Sequence, residues 1–138
     1  MKSDQLEYDV RHSSVTNDVA IIDLHGELGA PAGEALDKAF AQACRQNPRV
    51  ISLNFGGVSY INSTGVALII GLLIQATKAG LRLMAYGLTR HDAHVFELAR
   101  LSEYISIFPD EASALSSVRK SRLLGSQWQK EEQWQSQM

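Results

Sequence analysis

"Y-I-N-S-T-G-V-A-L-I-I", residues 60–70, sets an asparagine and two hydroxyls at the mouth of an apolar run. A small polar residue there can accept one of the backbone N–H groups that the first turn of a helix leaves unpaired, at a gain of about 1 kcal/mol. The spacing predicts a helix over residues 63–78, with a hydroxyl at its mouth as cap and Gly80 closing it. Helical periodicity puts Gly65, Ile69, Leu72, Leu73 and Ala76 on one side, a natural core face. Ser63, Ala67, Ile70, Gly71, Ile74 and Lys78 fall on the other. That second face is small and apolar, where a surface helix normally carries polar residues. Either both faces are buried, or the second is kept available for docking. A single small domain has few ways to bury both, which favours docking.

Working outward from this helix, strands and helices alternate. Residues 8–11 and 19–24 read as a hairpin around the turn cluster Thr16-Asn17-Asp18. Gly26, Gly29 and Pro31 break the chain, and Pro31 suits a first helical turn. Ala32, Leu36, Phe40, Ala43 and Cys44 then follow at helical spacing, to an end near Asn47-Pro48. Residues 49–55 form a short β-branched strand that Gly56-Gly57 turns. After the central helix, residues 81–86 read as a strand. Thr89 with Asp92 three positions on resembles a capping box for a helix to about Arg100. Residues 104–108 form a last strand, and Pro109-Asp110 starts a short helix with Leu115 and Val118 inward. The order β-β-α-β-α-β-α-β-α predicts an α/β domain: a mixed, mostly parallel five-stranded sheet with four helices, its first strand antiparallel at the edge.

The 138 residues suit one domain, expected over residues 1–118. Residues 119–138 change character, rich in Gln and Ser and holding Trp128 and Trp134. They read either as a frayed extension or as a helical one that docks its tryptophans. The net charge of -2 gives no footprint for nucleic acid. The single cysteine, Cys44, allows no internal disulfide and reads as a small core residue. The first ten residues carry Asp4, Glu7 and Asp9 rather than the apolar core of a secretory signal. The longest apolar run, residues 65–74, is half the ~20 residues a bilayer span needs, so a cytoplasmic protein without membrane insertion is expected.

Catalytic and cofactor chemistry fit poorly. A nucleophile elbow needs Gly-x-Ser-x-Gly; Gly65 follows Ser63, but Ile61 stands where the first glycine belongs. The possible bases, His12, His25, His91 and His94, are tied to Ser63 by no motif. His91 and His94 share a helix, but no cysteine or acidic cluster completes a metal site around them. Neither phosphate-binding glycine motif is present, and no cofactor is expected.

Three stretches together resemble the STAS domain, shared by anti-sigma factor antagonists and the cytoplasmic part of sulfate transporters. They are "V-S-Y-I-N-S-T-G-V-A-L-I-I-G-L-L" (residues 58–73), "V-A-I-I-D-L-H-G-E-L" (19–28) and "V-F-E-L-A-R-L-S-E-Y-I-S-I-F" (95–108). The resemblance covers residues 8–118 and implies a mixed sheet flanked by helices. It also implies a non-enzymatic partner-binding domain whose serine at position 63 is phosphorylated by a kinase that is itself the anti-sigma factor. The unmodified form binds and the phosphorylated form lets go. The residues implied at the interface are Asn62, Ser63 and Thr64, then Ala67, Ile70, Gly71 and Ile74, with Gly29 nearby. The chain departs from the antagonist pattern twice: Asn62 stands for the usual Asp, and Gly29 for an acidic residue common after Gly26-Glu27-Leu28. Both changes remove negative charge around Ser63. A second implication is therefore an unswitched docking subunit of a transporter or stress-signalling scaffold. The oligomeric state is left open.

Overall fold

A computed structural model describes residues 6–13 and 18–123. Its elements are β1 (Glu7–His12), β2 (Val19–Leu28), α1 (Gly33–Cys44), β3 (Val50–Ile61), α2 (Ser63–Lys78), β4 (Arg82–Tyr86), α3 (Arg90–Leu98), β5 (Ser106–Phe108) and α4 (Glu111–Leu123). Two short 3-10 turns, Ala30–Ala32 and Leu101–Glu103, precede α1 and β5. The five strands lie in the order β1-β2-β3-β4-β5. β1 is antiparallel to β2, and every later pair is parallel. This is the predicted α/β sheet with four helices.

Each parallel step moves one strand in the same direction. Right-handed crossovers therefore place α1, α2 and α3 on one face of the sheet. The core forms there: Ala20, Ile22 and Leu24 of β2, Ile51, Leu53 and Phe55 of β3, and Leu83 and Ala85 of β4 meet Leu36, Phe40, Ile69, Leu72 and Phe96. The Phe55 and Phe96 rings meet edge to face at 5.5 Å between centroids, a favoured aromatic geometry. The other face carries a separate, smaller cluster. Val19, Ile21, Val50, Met84 and Tyr86 pack against Ala114, Leu115 and Val118 of α4.

Several boundaries differ from the sequence expectation. Gly56-Gly57 does not turn the chain: β3 runs through it to Ile61, because β2 also continues to Leu28 and pairs with it. Pairing there is irregular, with shifts between Asp23 and His25 and between Gly26 and Glu27. Glycine at 57 answers a close approach rather than a turn, since a Cβ would lie 2.7 Å from the Leu24 carbonyl oxygen. α1 stops at Cys44, short of Asn47-Pro48. β5 begins only at Ser106, because Arg100 takes a left-handed backbone conformation (φ 63°) that ends α3 before the second 3-10 turn. Cys44 is half-buried and packs beside the main core; burial raises its thiol pKa. α4 continues past Val118 to Leu123, while residues 124–138, with Trp128 and Trp134, lie outside the described residues.

Candidate protein-docking site

β3 delivers the chain directly into α2, and Asn62 is the joint. Its backbone is extended (φ -100°, ψ -177°), and its side-chain Oδ1 accepts the Gly65 N–H at 2.9 Å. That is N-cap geometry. The cap is thus the asparagine, not a hydroxyl as the sequence suggested. Ser63 is already the first helical residue, and its exposed hydroxyl is not the group that accepts the Gly65 N–H. Thr89 fills the same role for α3, accepting the Asp92 N–H at 3.0 Å.

The end of β2 fixes where α2 starts. The Asn62 N–H donates to the Leu28 carbonyl at 3.2 Å. Gly65 presses its backbone onto the same carbonyl: a Cβ there would sit 2.0 Å from the Leu28 oxygen. This approach brings Gly29 beside Asn62, whose Nδ2 would lie 2.9 Å from a Cβ at 29. Gly29 is buried, so an acidic side chain there would have to displace the cap.

The two faces of α2 divide as the periodicity predicts. Gly65, Ile69, Leu72 and Ala76 are buried. Ser63, Thr64, Ala67 and Lys78 are exposed, and Gly71 is intermediate. Ile70 and Ile74 are 39% and 51% exposed. Tyr60, just before the helix, is 54% exposed and adds an aromatic to the same end. It lay in the opening motif but showed no period that marked it as surface. The structure therefore gathers Asn62, Ser63, Thr64 and Gly29 at one end of α2 and lines Ala67, Ile70, Gly71 and Ile74 along its outward side. The histidines are dispersed over other elements: His12 in β1, His25 against Gly57, and His91 and His94 exposed on α3.

The STAS domain model matches residues 12–114, from the first strand to the last helix and across the α2 motif. The chain belongs to the STAS domain family. The anti-sigma factor antagonist SpoIIAA in its unphosphorylated form shares 22% identity, covering 82% of this chain and 98% of its own, with a TM-score of 0.62. The Bacillus cell fate determinant SpoIIAA in its phosphorylated form shares 24%, covering 81% and 99%, at 0.60. An anti-sigma factor antagonist from Mycobacterium paratuberculosis shares 18%, covering 83% and 94%, at 0.65. The murine anion transporter Slc26a9 shares 12%, with 85% of this chain matching 22% of that one, at 0.67. No curated protein sequence matches significantly. These structures share the STAS fold with this chain. Among the described residues, no helix is long and apolar enough to cross a membrane.

Proposed function

We propose that this STAS domain is a regulatory protein–protein interaction module of the anti-sigma antagonist type. It docks an anti-sigma factor with serine-kinase activity through the outward side of α2, and phosphorylation of Ser63 ends the complex. The observation that carries this reading is the exposed Ser63 hydroxyl, relieved of capping by Asn62 and adjoining an exposed apolar helix face. A phosphoserine brings about -1.5 to -2 charge at neutral pH. At a helix N-terminus the macrodipole and unpaired amides tolerate that charge, so the domain keeps its fold. An apolar interface laid over the same spot has to bury the dianion, which is strongly unfavourable unless a cation pairs with it. The switch thus acts on the complex and spares the domain. SpoIIAA, whose two solved forms differ in phosphorylation and match this fold about equally well, supports the physical half of this argument.

The test compares Ser63→Ala with Ser63→Asp. Because Asn62 is the cap, both variants are expected to melt within about 0.5 kcal/mol of the parent. Calorimetry against the host's anti-sigma kinase should find the Ala variant binding like the parent and the Asp variant binding at least about tenfold more weakly. Equal affinities would sink the switch.

Asn62 favours a second reading, an unswitched docking subunit, because a kinase meets a neutral amide where antagonists present a carboxylate. Asn62→Asp separates the two. Asp and Asn cap about equally, so stability should hold within about 0.5 kcal/mol. The rate of Ser63 phosphorylation should rise. If intact-mass measurement finds no phosphate on either form after incubation with the kinase, the unswitched reading stands.

A further inference from the structure

The second face of the sheet carries a polar cluster that the docking site does not use. Arg11 of β1 donates to Asp23 of β2, from Nε at 2.6 Å and from Nη2 at 3.1 Å. Its Nη2 also donates to Glu111 in the first turn of α4, and Nη1 reaches the other Glu111 oxygen at 3.4 Å. The Tyr86 hydroxyl of β4 donates to Glu111 Oε1 at 2.7 Å and accepts from Arg11 at 3.3 Å. Asn54 of β3 donates to Asp23 at 2.7 Å. Two strands, β1 and β4, thus bond Glu111 of α4 directly, and β2 and β3 back them through Asp23 and Asn54.

Between Glu111 and residue 120 the attachment of α4 is thin. Among the residues whose burial is described, its buried apolar ones are Ala114, Leu115 and Val118, and they belong to the small second cluster rather than the main core. The Ser52 hydroxyl, on this face and buried, has no hydrogen-bond partner, which makes the closed contact less favourable. Helices α1 to α3 pack on the opposite face and share none of these residues.

We propose that α4 is a latched helix: Glu111, held by Arg11 and Tyr86, closes it on the second face, and it opens as a local unit while the core that carries the Ser63 face stays folded. Opening bares the apolar row Val19, Ile21, Val50 and Met84. It also leaves Arg11 on the sheet, fixed by Asp23. The lever is ionic strength rather than pH near neutrality. Hydrogen bonds from Arg11 and then Tyr86 lower the Glu111 pKa. Burial pushes Asp23 up, but bonds from Arg11 and Asn54 outweigh it and leave it low. A depressed carboxylate contributes stability above its unfolded value and loses it only as pH falls through the folded one, so both stay charged across the neutral range. His25, the other titratable group near Asp23, lies on the same strand. Arg11 and Glu111 are 42% and 38% exposed at the side chain, and salt screens such pairs.

Amide hydrogen exchange on the full chain tests the latch. In Glu111→Gln, amides of residues 114–118 should exchange at least about tenfold faster at low salt, as expected for a lost charge-assisted bond, with those of α1, α2 and α3 unchanged. Raising salt to about 1 M should speed α4 exchange in the parent and leave the variant unaffected. Tyr86→Phe should shift α4 in the same direction by less. Unchanged α4 exchange in Glu111→Gln overturns the latch. So does equal acceleration of all four helices, or failure of both variants to fold, because either makes α4 part of one global unit.

Discussion

Gly65→Ala is expected to cost about 3 kcal/mol or more, and a urea titration will find it largely unfolded or with a much lower midpoint. Its Cβ would sit 2.0 Å from the Leu28 carbonyl oxygen and 2.8 Å from the Leu28 carbonyl carbon. Both are backbone atoms, so no rotamer change relieves the contact. Either α2 backs away from β2 and loses the Asn62–Leu28 bond, or the end of β2 shifts. The control lies in the same helix. A Cβ at Gly71 meets nothing within 4 Å, so Gly71→Ala should gain about 0.5–1 kcal/mol by removing backbone entropy from the unfolded chain. Helix propensity alone predicts a gain at both sites. A stable Gly65→Ala would mean that α2 does not seat on the Leu28 carbonyl, and the placement of Asn62 beside Gly29 would fall with it.

The second large effect separates the docking face from the core. Leu72, 1% exposed, should cost about 2–5 kcal/mol on truncation to alanine. Ile70 and Ile74 are 39% and 51% exposed, and changing both to serine should cost about 1 kcal/mol or less in total. The same double variant should nonetheless lose most of its affinity for the proposed kinase partner, since it removes both exposed isoleucines from the outward side of α2. One denaturant titration and one binding isotherm decide the matter. A double variant that melts as early as Leu72→Ala returns that face to the core. One that melts normally and binds like the parent moves the interface elsewhere, with Tyr60, Leu98 and Tyr104, the other large exposed apolar side chains among the described residues, as the next places to probe.

The element order, the parallel sheet with one antiparallel edge and the two faces of α2 could all be read from the chain. Each rests on a local period that short-range sterics impose: 3.6 for the run from Ser63 to Lys78, alternation or β-branching for the strands. The STAS motif added Ser63 by resemblance. What stayed hidden depends on contacts between residues far apart in sequence. Gly56-Gly57 looks like a turn until β2 is seen to continue beside it, when the missing Cβ becomes clearance for a neighbouring strand. Gly65 looks like a weak point in a helix until the Leu28 carbonyl is found against it. Three polar residues in a row, Asn62, Ser63 and Thr64, could each cap α2, and only the extended backbone that β3 imposes on Asn62 makes it the one that does. The Arg11–Glu111 contact joins residues 100 positions apart, and no local pattern carries such a pairing. The sequence by itself determined the elements and their apolar faces, because period and side-chain size act within a few residues. The tertiary structure alone decided which glycine is indispensable, which side chain caps the helix and what closes α4, because each is settled by how near a distant backbone or charge comes.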